Sequence, residues 1–139
     1  MAAKDIFHGI VKNALQKDGW KITHDPLTIP ASGVTTYYID LGAERIIAAQ
    51  KGEEKIAVEI KSFIGLSFAT EFHQALGQFN NYLVALEEEE PDRVLFLAVP
   101  SEVYDTYFET RHIKKVIERF SLHLLVFDPE SENIVLWKM

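Results

Sequence analysis

The spacing of apolar residues along the chain predicts three helices. Apolar side chains recur every three or four residues over 5–16, so one face of that segment is apolar. The same spacing over about 69–86 predicts a longer helix, whose apolar stripe consists of Phe72, Ala75, Leu76, Phe79 and Leu83. A third helix is expected to begin at Ser101, with an interruption at 110–112. Its predicted apolar stripe consists of Val103, Tyr107, Ile113, Val116, Ile117 and Phe120.

Shorter runs of apolar and β-branched residues predict the strands of a sheet. Strands are expected at 20–23, 93–100, 122–127 and 134–137. The two middle runs are almost continuously apolar, which is typical of strands that are covered on both faces. Residues 27–38 are a loop or a strand. This order of elements predicts an α/β fold in which helices flank a mixed β-sheet, in a single domain over residues 1–139.

Two further strands form a predicted hairpin in the middle of the chain. Residues 37–50 are the first arm, residues 55–61 the second, and residues 51–54 supply the turn. The outer ends of two paired arms are neighbours in space. We therefore expect Asp40, which enters the first arm, to lie close to Glu59, which leaves the second.

An acid and an amine share one face of the second arm. Side chains alternate across a strand, so Glu59 and Lys61 point to one side and the apolar Val58 and Ile60 to the other. Burying an acid beside an amine costs free energy unless the two groups are paired or used. Carboxylates of this kind hold Mg²⁺, and a nearby lysine can orient the attacking water in phosphodiester hydrolysis. An ion pair without chemistry is the alternative interpretation.

Three other polar residues are candidates for the same site. Asp40 would complete the metal site with Glu59, unless it is an ordinary aspartate at a strand edge. Gln74 and Gln78 lie four residues apart on the long predicted helix and therefore share a face. Paired amides can orient a phosphate or a water molecule. A solvated helix surface is the alternative interpretation for both.

Together these residues carry a resemblance to a group of DNA enzymes. Asp40, the strand with Glu59–Lys61 and a helix with Gln74 and Gln78 resemble the PD-(D/E)xK restriction-endonuclease-like superfamily. The chain also resembles the XisH family, cyanobacterial factors that control excision of the fdxN element. That likeness rests on residues 39–45, 55–63 and 75–79, with further matches at 19–20, 25–27 and 137. It implies a restriction-endonuclease-like mixed β-sheet flanked by helices.

The resemblance also implies an activity and a role for each candidate residue. Asp40 and Glu59 would bind Mg²⁺ or Mn²⁺, Lys61 would handle the attacking water, and Gln74 or Gln78 would position phosphate. The implied activity is endonucleolytic hydrolysis of DNA during excision of the element. The alternative is a non-catalytic factor that controls excision through a protein partner.

Two departures from the superfamily pattern leave positions open. The hairpin between Asp40 and Glu59 is longer than in resolvase-like members, so Glu44 is a rival for the second metal ligand. Where those members bring a glutamate from the first helix, this chain has His8, a poorer ligand for Mg²⁺ and a better one for Mn²⁺ or Zn²⁺. His8 either contributes to the site or is a hydrogen-bonded histidine at a helix surface.

Composition excludes several classes of protein. The chain has 47% hydrophobic and 25% charged residues and no cysteine, which excludes disulfides and thiolate metal sites. No segment has the uncharged apolar length of a membrane span, and the first residues lack the apolar core of a signal peptide. We therefore expect a cytoplasmic protein that does not contact a membrane.

The charge of the chain opposes direct binding to DNA. The net charge is −7, and the basic residues are scattered along the sequence. Such a surface repels the phosphate backbone on average, and nucleic-acid-binding domains usually carry a basic stripe. If the protein acts on DNA, we expect help from a protein partner or from assembly into a homo-oligomer.

Overall fold

The computed structural model describes residues 4–47 and 52–139, and within them eight strands and four helices follow one another. The helices are α1 (His8–Lys17), α2 (Phe68–Glu89), α3 (Ser101–Val103), which continues into a π-helical turn over Tyr104–Phe108, and α4 (Arg111–Arg119). The strands are β1 (Lys21–His24), β2 (Leu27–Ala31), β3 (Thr35–Ile39), β4 (Leu41–Ile47), β5 (Gly52–Ile60), β6 (Arg93–Pro100), β7 (Leu124–Asp128) and β8 (Asn133–Lys138). None of the helices within these ranges is long and apolar enough to cross a membrane.

Six of the strands form one mixed sheet in the order β1-β4-β5-β6-β7-β8. The central strands β5, β6 and β7 run parallel, and the pairs β1–β4, β4–β5 and β7–β8 are antiparallel. The remaining strands, β2 and β3, form a separate antiparallel ribbon. The predicted mixed α/β arrangement is therefore confirmed.

Strand β5 is buried on both faces because helices cover both sides of the sheet. On one side, Ala57 packs into a core with Phe79 of α2 and Leu97 of β6. On the other side, the three residues Ile56, Val58 and Ile60 pack with Val11 and Leu15 of α1. Side chains therefore alternate along β5 as predicted, and Glu59 lies on the same side of the sheet as α2.

The hairpin differs in detail from its prediction. The first arm is two strands, since β3 ends at Ile39, β4 begins at Leu41, and Asp40 lies between them. Pairing runs from Leu41 opposite Val58 to Ile47 opposite Gly52, so 52–54 belong to β5 instead of a turn. The expected turn residue Lys51 and the end of the first arm, 48–50, lie outside the described residues.

The predicted stripe of the third helix is wrong at two positions. Tyr107 and Phe120 are 40% and 48% exposed, whereas Tyr104 and Phe108 are buried. At Tyr107 the cause is the π-helical turn, which adds a residue to the helical repeat and rotates the buried face, whereas Phe120 follows the last residue of α4. The predicted interruption is confirmed, because α4 begins only at Arg111.

Alanine substitutions distinguish the two versions of this stripe. Phe108→Ala removes a fully buried ring and should lower the free energy of unfolding by about 3–5 kcal/mol. Phe120→Ala, at a half-exposed position, should lower it by about 1 kcal/mol or less. Chemical denaturation of both variants measures the difference. A larger loss for Phe120→Ala would contradict the burial described here.

Candidate functional site

Asp40 and Glu59 come together where the two-stranded ribbon joins the main sheet. Asp40 is the single residue between β3 and β4, and β4 pairs with β5 from Leu41 onward. The backbone N–H of Ile60 donates to Asp40 Oδ2 at 2.7 Å, and the backbone N–H of Asp40 donates to Glu59 Oε1 at 3.3 Å. The hairpin thus brings the two carboxyl groups side by side, as the sequence leads us to expect.

Burial changes the acidity of both carboxyl groups. Glu59 is only 7% exposed. Desolvation, reinforced by the neighbouring Asp40 charge, raises the pKa of Glu59 from an ordinary 4.5 to about 8, against the opposing effect of Lys61. Burial also raises the pKa of Asp40, although the hydrogen bond from Ile60 and the nearby positive charges oppose this. The pair therefore retains a proton at neutral pH.

Lys61 lies at the mouth of the carboxyl pair. Its ammonium nitrogen is 3.7 Å from Glu59 Oε2, and its side chain is 27% exposed. Its backbone N–H donates to the carbonyl of Ala98 at 3.0 Å, which holds the chain beside β6 just beyond the end of β5. The amine is thus close enough to compensate charge on Glu59 while remaining accessible to solvent.

Asp5, which precedes α1, links that helix to the segment next to the site. Asp5 accepts hydrogen bonds from the backbone N–H groups of Phe7 and Ser62, at 2.9 and 3.0 Å. Its carboxylate therefore ties the entry to α1 to the segment that follows Lys61. The predicted helix residues 5–7 precede α1 itself, which begins at His8 with Phe7 at its N-cap position.

His8, the first residue of α1, is buried near the carboxyl pair and is only 7% exposed. Its Nε2 lies 2.7 Å from Asp25 Oδ1, and Lys12 donates to the other oxygen of Asp25 at 2.8 Å. Its Nδ1 has no hydrogen-bond partner among the described residues. A positive charge on His8 lowers the pKa of Asp40, so the ring lies within electrostatic reach of the carboxyl pair.

The long helix contributes a tyrosine that the sequence analysis does not single out. Burial, with the charges of Glu59 and Asp40, raises the pKa of Tyr82 to about 12, so its phenol is neutral. Gln78 is half-buried one turn before Tyr82, and its Oε1 has no partner among the described residues. Gln74, a further turn earlier, is exposed. The i, i+4 spacing of Gln78 and Tyr82 is the signal in the sequence that points to Tyr82.

Glu44 lies away from the carboxyl pair. Its partner on β5 is Lys55, four residues before Glu59. Glu44 Oε1 lies 3.5 Å from the guanidinium of Arg93, whose buried side chain also binds Glu90 and the carbonyl of Ile56. Glu44 therefore helps to neutralise a buried arginine and does not accompany Asp40.

The donor set suits a hard divalent cation, with few protein ligands. Among residues 4–47 and 52–139, no group of three or more histidines and acids has a metal-binding arrangement. Asp40 and Glu59 supply two carboxyl groups, and Mg²⁺ is often held by one or two carboxylates together with water and phosphate. The pair therefore fits such an ion on the chemistry of its donors.

Nearly the whole length of the chain is similar to known proteins. A family model described as XisH protein matches residues 1–135. The chain belongs to the XisH family. The crystal structure of an XisH family protein from Nostoc punctiforme is 47% identical, with a TM-score of 0.87 over 97% of this chain and 100% of that one. A second crystal structure, of an fdxN element excision controlling factor protein from Anabaena variabilis, is 49% identical, with a TM-score of 0.88 over 98% and 100%.

No curated protein matches the chain. The family model and the two solved structures from cyanobacteria confirm the XisH resemblance drawn from the sequence. The similarity covers both the hairpin that carries Asp40 and Glu59 and the helix that carries Gln78.

Stability should depend on pH through Glu59. Its pKa in the folded protein is raised from 4.5 to about 8, so the folded state binds more protons than the unfolded state between those values. Stability contributed by this group is therefore present below the lower value and is lost as the pH rises through the higher one. Glu59→Gln removes the titration and should flatten the decline of the melting temperature between pH 5 and about 8.

The matched control is Glu102→Gln, at an exposed position of α3. This variant should keep the wild-type slope of melting temperature against pH. Differential scanning calorimetry across the pH range measures all three proteins. An unchanged slope in Glu59→Gln would show that the buried pair does not govern the pH dependence.

Proposed function

We propose that this XisH-family chain is a divalent-metal-dependent DNA endonuclease of the PD-(D/E)xK type that takes part in excision of a DNA element. The observation that carries the proposal is the buried carboxyl pair of Asp40 and Glu59 with Lys61 at its mouth. These residues follow the superfamily motif in chain order, on the first and second arms of one hairpin. The Anabaena relative, described as an fdxN element excision controlling factor, supports the connection with excision.

The shared proton is the feature that favours a cation site. Two carboxyl groups buried together repel one another when both are ionised, so one of them retains a proton. A divalent cation that displaced this proton would satisfy both carboxylates at once. Asp40 is already oriented by the N–H of Ile60, and Glu59 by that of Asp40, so little reordering is required.

Each neighbouring residue has a role in this proposal. Bound Mg²⁺ or Mn²⁺ would supply positive charge to the scissile phosphate and lower the pKa of a coordinated water. Lys61 would orient the attacking water or neutralise charge that develops on the phosphate. Gln78 is half-buried, and its amide oxygen, which has no partner in the described part of the chain, would position a phosphate or a water. Gln74 is exposed and would contact only the outer part of a DNA substrate.

Metal binding should be lost with Glu59 and should release protons. Calorimetric titration of Mg²⁺ or Mn²⁺ into wild type is expected to show one site, and Glu59→Ala none, because one of two ligands is gone. The binding heat at pH 7 should vary with the ionisation enthalpy of the buffer, because Glu59 gives up its proton. Affinity should rise between pH 6 and about 8 for the same reason.

Glu44→Gln is the matched control for this titration, since Glu44 is the other acidic candidate on the hairpin. It should bind metal like the wild type, because Glu44 pairs with Arg93. Equal binding by Glu59→Ala and wild type would contradict the assignment of the site. The absence of binding in the wild type would remove the basis for an enzyme.

Lys61→Ala separates chemistry from stability. Its side chain is partly exposed and only 3.7 Å from one oxygen of Glu59, so its removal should change the melting temperature little. Cleavage of linear or branched DNA should fall by a factor of about 100 or more, as for other groups that stabilise developing charge. Gel assays with Mg²⁺ or Mn²⁺ measure the rate.

Lys55→Ala, at a position within β5 that pairs with Glu44, should keep wild-type cleavage. If Lys61→Ala instead lowers the melting temperature and leaves cleavage intact, the lysine serves as a structural ion pair with Glu59. That result would favour the earlier alternative of an ion pair without chemistry.

A second candidate function rests on the charge of the chain. With a net charge of −7, the protein is poorly suited to approach DNA unaided, and the Anabaena relative is described as a controlling factor. In this alternative the chain controls excision by binding a protein partner and catalyses no cleavage. It would account for a wild-type protein that neither binds metal nor cuts DNA.

A further inference from the structure

A second concave site lies at the opposite end of β5 from the carboxyl pair. It is a pocket of about 540 Å³ on the side of the sheet that α1 covers. Helix α1 ends at Lys17, and it is the only helix in the described part of the chain that packs into this core. The sheet surface beyond the end of α1 is therefore left open, and its apolar residues line the pocket.

Aromatic rings form the floor of this pocket. Trp20, Phe96 and Trp137 line it, with Trp137 centred 5.8 Å from Trp20 and 4.9 Å from Phe96. Trp20 is only 4% exposed, and its indole N–H has no acceptor among residues 4–47 and 52–139. A buried donor without a partner costs free energy.

The rim of the pocket is acidic. Four carboxylates line it against two cations: Asp18, Glu53, Glu54 and Asp92, opposed by Arg45 and Lys55. Glu53 and Asp92 are exposed and make no ion pair within the described ranges. An aromatic floor beneath an acidic rim attracts cations, because the ring faces and the carboxylates are both negative.

The chain itself shows which cation suits this surface. The guanidinium of Arg45 lies 4.4 Å above the Trp20 ring, and it binds Glu54 at 2.7 Å. Arginine combines stacking on an aromatic face with a fork of donors for a carboxylate, which lysine cannot reproduce. Trp137, which is partly exposed, offers further ring surface, and Glu53 and Asp92 offer carboxylates, to a second guanidinium.

We propose that this pocket binds an arginine side chain presented by a basic segment of a partner protein. The guanidinium stacks on the exposed part of Trp137 and pairs with Glu53 or Asp92. Charge favours such a partner over a second copy of this chain, whose net charge is also −7. The proposal does not rest on metal chemistry at Glu59, since the two sites lie at opposite ends of β5.

The two tryptophans of the chain make the pocket directly observable. Trp20 and Trp137 are the only tryptophans in the sequence, and both line the pocket. In ¹H–¹⁵N spectra of the full chain, both indole N–H signals therefore report on it, and Trp137→Phe assigns them. The probe is the peptide acetyl-Gly-Gly-Arg-Gly-Gly-amide, compared with versions that carry lysine or the uncharged isostere citrulline.

We expect a saturable shift of the Trp137 signal with the arginine peptide, a weaker affinity for the lysine peptide and no saturable shift with citrulline. The double variant Glu53→Gln/Asp92→Asn should bind the arginine peptide about fivefold or more weakly, because two exposed ion-pair partners are lost. Glu102→Gln/Glu118→Gln removes the same net charge at exposed positions away from the pocket and should bind normally.

Three results would overturn the proposal. The first is no saturable shift at millimolar arginine peptide. The second is equal affinity for the citrulline peptide, which would show an apolar contact without recognition of charge. The third is a shift of the indole signals with protein concentration alone, which would show that a second copy of the chain occupies the pocket.

Discussion

The hydrogen bond from the Ile60 N–H to the Asp40 carboxylate is the contact that organises the site. It joins the end of β5 to the residue at which the ribbon of β2 and β3 passes into the main sheet. The backbone N–H of Asp40 in turn donates a hydrogen bond to the carboxyl group of Glu59. One residue thus fixes the direction of the chain, the end of the hairpin pairing and the orientation of the neighbouring acid.

The hydrogen bonds of Asp40 place two carboxyl groups in a buried position, where a charge is unfavourable. Glu59 lies on the side of β5 that faces α2, where its neighbours Ala57 and Phe79 are apolar. The fold tolerates the carboxyl pair through a retained proton, backbone donors and the amine of Lys61. Replacing buried charged groups with apolar residues of similar size often costs a protein no stability. This chain nevertheless keeps both carboxyl groups, with raised pKa values, and shifted pKa values are common at functional sites.

The parts of the site that depend on local periodicity could be predicted from the sequence. The alternation along β5 and the closeness of Asp40 to Glu59 follow from the rules of a strand and a hairpin. The rejection of Glu44 could not be predicted, because it depends on the register of pairing and on Arg93, which is distant in sequence.

The helices show the same division between local and distant causes. From the sequence, Gln74 and Gln78 are equally good candidates for the site, but the packing of α2 leaves Gln74 exposed and half-buries Gln78. Tyr82 was missed because its proximity to the acids arises only when α2 packs on the sheet. A regular helical repeat places Tyr107 in the core, but the π-helical turn interrupts that repeat, and Phe120 lies beyond the last residue of α4.

The hairpin also bears on the order of folding. Asp40 and Ile60 are separated by 20 residues, whereas the parallel pairing of β5 with β6 must close across the whole of α2. Short loops close faster than long ones, so we expect the two acids to meet before α2 covers them. At that stage water still reaches both groups, and Glu59 takes up its proton only as α2 packs over it, because burial is the main cause of its raised pKa.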